Sequence, residues 1–270
     1  MIFLLKLLLV PSLIALVTLA GRRWGPAIAG WLSAFPIVAG PILLAISLEQ
    51  GAGFAALAAA HTLTAVLAIL VFSIAYARCA RHGMPRAMAS ALLAYAAAVV
   101  LLQATTLPLW AGFALVVAGL LLAPYLFGPA PQAVMAGPQA ANDLPWRMLA
   151  GAILSLSVTY TAASLGPRLS GLFAMFPVMS TVLVGFSHRS NGPGFPVALL
   201  RGMIKGYYAF AVFCVTLSLL LRDGAIGRAF LLATGAALGV QLAMKWWMGR
   251  QQAALALRVA ACQGARGSLE

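Results

Sequence analysis

Apolar runs of about 20 residues follow one another along almost the whole chain, from IFLLKLLLVPSLIALVTLA at residues 2–20 to a last run near 226–247. Each is close to the length a helix needs to cross about 30 Å of hydrocarbon at 1.5 Å per residue. Lipid offers the backbone no hydrogen-bond partners, which restricts a spanning chain to helices or a closed barrel. The short alternating segments of barrel strands are absent. The sequence therefore predicts an all-α fold, a polytopic transmembrane helical bundle. Composition points the same way, with 63% hydrophobic and 8% charged residues, where soluble domains carry about a quarter charged.

The runs predict about nine spans, or ten, near 2–20, 26–48, 53–78, 86–105, 107–127, 147–165, 167–187, 196–221 and 226–247. The first resembles a cleaved signal in composition, but another apolar span follows it instead of a soluble domain, so it is read as retained. Residues 128–146, GPAPQAVMAGPQAANDLPW, form the longest polar interruption and read as a linker. The net charge of +13 comes from Lys and Arg set mostly at span ends, where they orient segments and meet anionic headgroups. No nucleic-acid partner is expected. Cys79, Cys214 and Cys262, like His61, His82 and His188, are scattered without metal-ligand spacing. With no phosphate-binding, metalloprotease or dinucleotide fingerprint either, the sequence predicts no metal, no cofactor and no enzyme.

An internal repeat organises the spans. Shifted against itself by 141 positions without a gap, the sequence superimposes Gly25 on Gly166, Pro26 on Pro167, Gly30 on Gly171, Phe35 on Phe176 and Pro36 on Pro177. The same frame brings Val17 and Thr18 onto Val158 and Thr159, Gly51 onto Gly192, Arg81 onto Arg222 and Gly83 onto Gly224. Chance coincidences of Gly and Ala are common in apolar sequence, whereas a frame that also holds Phe, Pro and Arg predicts duplication. It divides the chain into a first four-helix repeat (1–105), a linker helix and loop (106–146), a second four-helix repeat (147–247) and a basic tail (248–270). One unmatched linker helix between the units turns the second over, so the repeats are expected to be inverted. Arg22 and Arg23 after the first span, with Arg78, Arg81 and Arg86 around the end of the third, set those connections on the cytoplasmic side. The second half shows a weaker bias of the opposite sense.

Both repeats carry a Phe-Pro step inside an apolar run. Phe35-Pro36 falls about 16 Å along a helix begun at Gly25, near mid-bilayer. Proline lacks an amide hydrogen and crowds the preceding turn, leaving carbonyls that water, protein or a ligand must satisfy. A helix restarting there directs its positive end at the midplane, and two such ends in inverted units make a site for an anionic or dipolar group. The second and seventh spans are accordingly expected to be Pro-broken discontinuous helices, full or re-entrant, with substrate-binding residues Gly30, Ser33, Phe35, Pro36, Gly40, Gly171, Phe176, Pro177, Ser180 and Thr181. An ordinary proline kink and small-residue helix packing are the alternatives. Arg201 and Lys205, four apart on one helix face, are candidates to receive an anion, or to snorkel to headgroups. His61 is a candidate proton relay, or a histidine bonded within the bundle.

The stretch LSGLFAMFPVMSTVLVGFSH and its partner IAGWLSAFPIVAGPILLAIS resemble the small membrane proteins of the GlpM type, which carry a similar short helix ending in a Gly-x-x-x-x-Phe-Pro step. The likeness covers one span in each half and implies a duplicated, fused form of such a unit. The general plan is similar to inverted-repeat transporters such as the drug/metabolite transporter superfamily, in which short antiparallel units were duplicated. The function expected is secondary transport, by alternating access, of a small anionic or zwitterionic metabolite. A non-transporting accessory or structural protein of envelope assembly is the alternative. The expected location is the cell inner membrane, multi-pass. The partners are a small-molecule solute and the lipid bilayer, with a homodimer as an open option.

Overall fold

The computed structural model describes residues 2–105, 107–128, 143–164 and 176–267. Helices α1 (Ile2–Trp24), α2 (Pro26–Ser33), α3 (Ala39–Gln50), α4 (Ala52–Cys79), α5 (Met84–Gln103), α6 (Leu109–Leu126), α7 (Leu144–Ser164), α8 (Val178–Asn191), α9 (Gly194–Leu220) and α10 (Ile226–Gly267) account for nearly all of them, with no strand among the described residues. Among the described residues, five helical stretches are long and apolar enough to cross a membrane: Ala52–His82, Met84–Gln103, Leu109–Leu126, Gly194–Asp223 and Ile226–Arg250. The expected second span consists of two helices, because backbone pairing fails around Pro36. At 8, 12 and 14 residues, α2, α3 and α8 are each too short to cross about 30 Å alone. The basic tail is a continuation of α10, which stays helical to Gly267.

Glycines punctuate the helices. After α4 comes a 3-10 turn, Ala80–His82, then Gly83 at φ 94°, then α5; after α9 comes a 3-10 turn, Leu221–Asp223, then Gly224 at φ 76°, then α10. A side chain at either φ would be strained, so glycine is what lets one helix end and the next begin within a few residues. Gly51 and Gly192, also at positive φ, separate α3 from α4 and α8 from α9.

The core gathers around α9, which packs against α2, α4, α6, α8 and α10. Its fully enclosed side chains include Leu200, Phe213 and Leu217. Helix α2 lies closest to it. A Cβ on Gly30 would sit 1.9 Å from the Leu199 carbonyl oxygen, and one on Gly202 would sit 2.1 Å from that of Ala27. Two backbones meet at this seam, which only residues without a Cβ allow.

Helices α1 and α7 run antiparallel. Arg22, near the end of α1, pairs with Asp143 just ahead of α7, and Ile14 fills the space over Gly151. The long helices α4 and α9 also oppose each other. Arg78 at the end of α4 and Arg201 in the first half of α9 both donate to carbonyls at the end of α6, those of Leu126 and Gly128. One end of the bundle thus collects the ends of α1, α4, α6 and α8 with the starts of α7 and α9, and the arginines Arg22, Arg78, Arg147 and Arg201 lie there.

Candidate functional site

The two Phe-Pro steps share one local geometry. In the first, the Ile37 amide donates to the Phe35 carbonyl at 2.7 Å and the Gly40 amide to the Pro36 carbonyl at 2.8 Å. In the second, Val178 donates to Phe176 at 2.8 Å and Thr181 to Pro177 at 2.9 Å. Each proline is the centre of a three-residue turn. Pro177, at φ −78° and ψ 63°, has the inverse γ conformation, which the proline ring favours by fixing φ. Beyond each turn a helix restarts, α3 at Ala39 and α8 at Val178.

The loss of helical pairing is made good from elsewhere in the chain. The Phe35 amide turns to the Leu32 carbonyl at 3.2 Å, leaving the Trp31 carbonyl without its usual partner. Gln241 of α10 supplies one, its Nε2 donating to that carbonyl at 3.1 Å. The Ser33 hydroxyl turns back to the Gly30 carbonyl at 2.8 Å. Both steps flank the same turn of α9. Gly206 faces the Trp31 carbonyl and Ala34, while Ser180 donates to the Met203 sulfur at 3.7 Å. Pro36 and Pro177 are buried, and Phe35 and Phe176 half-buried, with Phe176 edge-on to Tyr95. The hydroxyl of Thr181 is enclosed and unpartnered, as are Gln241 Oε1 and Trp31 Nε1.

Other sequence candidates are dispersed. Gly30 belongs to the α2–α9 seam, and a Cβ on Gly40 would lie 3.7 Å from the Phe213 ring. Gly171 lies outside the described residues. Arg201 is engaged by the Gly128 carbonyl at 2.5 Å and lies 5.8 Å from the centre of the Phe127 ring. Lys205 shares its helix face, half-buried, one turn further along. His61 is exposed on the outside of α4.

A polar cluster that the sequence reading did not single out sits at the basic end. Arg147 is 1% exposed. Its Nε and Nη2 donate to Asp143 Oδ2 at 2.9 and 2.7 Å, and its Nη1 to Ser187 Oγ at 3.2 Å. Asp143 also holds Arg22 at 2.6 Å. Beside it, His188 Nδ1 and the Tyr76 hydroxyl are 2.6 Å apart, tying the end of α8 to the end of α4. Burial holds the His188 imidazole below its ordinary pKa. Between α1, α2, α7, α8 and α9 the cluster borders a narrow crevice, lined by Thr18, Gly21, Ala29, Arg147, Ser187 and Phe195 among others, with room for about one water molecule. A lone arginine at a span start reads from sequence as a headgroup anchor, and only its neighbours from α8 reveal its burial.

No group of three metal-binding side chains exists among the described residues. No protein-family model, no curated protein and no solved structure matches the chain, so its function is argued from its own residues.

Proposed function

We propose that the chain is a secondary transporter built of two inverted repeats, moving a small anionic or zwitterionic metabolite by alternating access at the level of the two Phe-Pro steps. The observation that carries this reading is the antiparallel contact of α1 with α7, which stand 141 positions apart in the repeat frame. The same offset relates the two 3-10 turns at Ala80–His82 and Leu221–Asp223, the glycines that follow them, and the paired hydrogen bonds around Pro36 and Pro177. Antiparallel equivalents are what a pseudo-twofold axis in the membrane plane requires. Carriers of this plan bind cargo where interrupted helices from the two repeats meet. The basic end would face the cytoplasm of an inner membrane.

The steps offer a solute the starts of two helices, with Ser180, Thr181 and the carbonyls around Trp31 close by. A change of state would slide the α2–α3 pair along α9, breaking the bond from Gln241 to Trp31. The second reading, a non-transporting accessory protein, draws on that same bond, since a fixed kink also needs its stray carbonyl satisfied. Transport by purified protein in liposomes separates the two. Labelled monocarboxylates, dicarboxylates and amino acids are offered on one side, and saturable uptake of at least one is expected. The Pro36→Ala/Pro177→Ala double variant should keep its melting temperature yet fall by about tenfold or more in rate. Silence across the panel, or full activity in the double variant, would sink the carrier reading.

A further inference from the structure

We infer that Arg201 and Lys205 hold the phosphate of one anionic phospholipid where α6 ends against α9. The charge balance of the chain carries this. The whole sequence has 17 Lys and Arg against 4 Asp and Glu. Asp143 is taken up by Arg22 and Arg147. Glu49, at the end of α3, and Asp223, after α9, stand away from the basic end, and Glu270 lies outside the described residues. Among the described residues, no carboxylate pairs with Arg201 or Lys205, and the Gly128 carbonyl is the one hydrogen-bond partner of Arg201. The Arg201 Nε is enclosed without a partner. Both cations are half-buried on α9, a helix long and apolar enough to cross a membrane. Basic residues within a span need an opposite charge or a route to the headgroups, and two of them one turn apart also repel each other.

The setting selects the occupant. The Gly128 carbonyl, at 2.5 Å from Nη2, and the Phe127 ring, 5.8 Å away, fix the Arg201 guanidinium at the end of α6. Arg78, at the end of α4, donates to the Leu126 carbonyl, so a third cation stands at the same level. Lys205 is one turn, about 6 Å, further along α9. Long helical side chains lean toward the start of their helix, which brings the Lys205 stem back toward Arg201. A bound water would leave these charges uncompensated, whereas a phosphodiester accepts from a guanidinium fork and an ammonium at once. The last turns of α6 expose Leu122, Tyr125 and Leu126, an apolar flank that acyl chains can cover and a free phosphate cannot. Phosphatidylglycerol brings a net negative charge, while phosphatidylcholine brings its own cation and leaves the balance unchanged. The inference needs only α6 and α9 in a bilayer, and stands whether or not the protein transports anything.

The test is the melting temperature of the delipidated, detergent-solubilised full chain with added phosphatidylglycerol against phosphatidylcholine of the same acyl chains. A lipid that binds only the folded state, at about a hundredfold excess over its Kd, should raise the melting temperature by roughly 5 °C over the phosphatidylcholine value. Lys205→Gln, which removes the charge and keeps most of the side-chain length, should melt close to the wild type in phosphatidylcholine and lose most of the phosphatidylglycerol shift. Arg201→Gln takes its place if that variant does not fold. Lys205→Arg should keep the shift, and so should Lys245→Gln, which removes an exposed cation from α10. No shift in the wild type, an undiminished shift in Lys205→Gln, or an equal loss in Lys245→Gln would overturn the site; a shift from inorganic phosphate matching that from phosphatidylglycerol would overturn the lipid as its source.

Discussion

Gln241 reaches 210 positions back along the chain to the Trp31 carbonyl, and His188 meets Tyr76 across 112. Both are single polar groups that join elements made by different parts of the sequence. Their titration and bonding properties follow from where they end up. Burial favours neutral His188 in the folded protein, so its folded pKa lies below the unfolded value of about 6.5. As pH falls through that value the unfolded chain takes up the proton first. Stability therefore rises with pH across this window, and the loss on acidification levels off only below the folded pKa. Melting temperatures at pH 7.5 and 5.5 should fall further in the wild type than in His188→Gln; identical falls would show that another group governs the acid limb. A linear sequence displays that such residues are polar within apolar surroundings, but it carries no signal for which carbonyl or hydroxyl they will meet. The same holds for Arg147, whose burial depends on serines forty or more positions away.

The helices themselves were far more legible, because each is specified by its own residues. Apolar run lengths set boundaries that the structure reproduces within a few positions for α4, α5, α6, α7 and α9. The interruption at Phe35-Pro36 could be read off because proline acts locally on the backbone. What escaped was how α2 and α9 seat on each other. Gly202 and Gly206 are spaced as small residues at a membrane helix interface, yet that spacing does not name the partner, and Gly30 reads equally as a lining or a packing residue. The seam makes a contrast that can be measured. Gly30→Ala puts a methyl group into the Leu199 carbonyl, which must move with its helix, and should cost about 3 kcal/mol of stability. Gly239→Ala on α10 meets nothing within 4 Å and should gain up to about 1 kcal/mol from helix propensity. Comparable melting temperatures for the two variants would remove the seam from its central place in the packing.

At the scale of the molecule, the packing has one organising relation. Helices α4 and α9 meet each other, each meets α6, and each is followed by a 3-10 turn, a glycine and the next helix packed alongside it. Helices α1 and α7 likewise meet each other, in opposite directions. The proposed repeat, turned over in the membrane, would produce this pattern, and it makes a sharp claim about residues in the same repeat position. Arg81 follows α4 at the basic end, whereas Arg222 follows α9 at the other; both are exposed. In a chain whose native cysteines are replaced by alanine, Arg81→Cys and Arg222→Cys should therefore label from opposite sides of sealed vesicles with a membrane-impermeant thiol reagent. Arg23→Cys should behave like Arg81→Cys, and Glu49→Cys like Arg222→Cys. A direct repeat would instead carry Arg81 and Arg222 to the same face, because equivalent residues of parallel units lie on one side. Labelling of both from one side would mean parallel units, in which the helices that restart after Pro36 and Pro177 point the same way, so their starts could not face each other across one level to hold a solute between them.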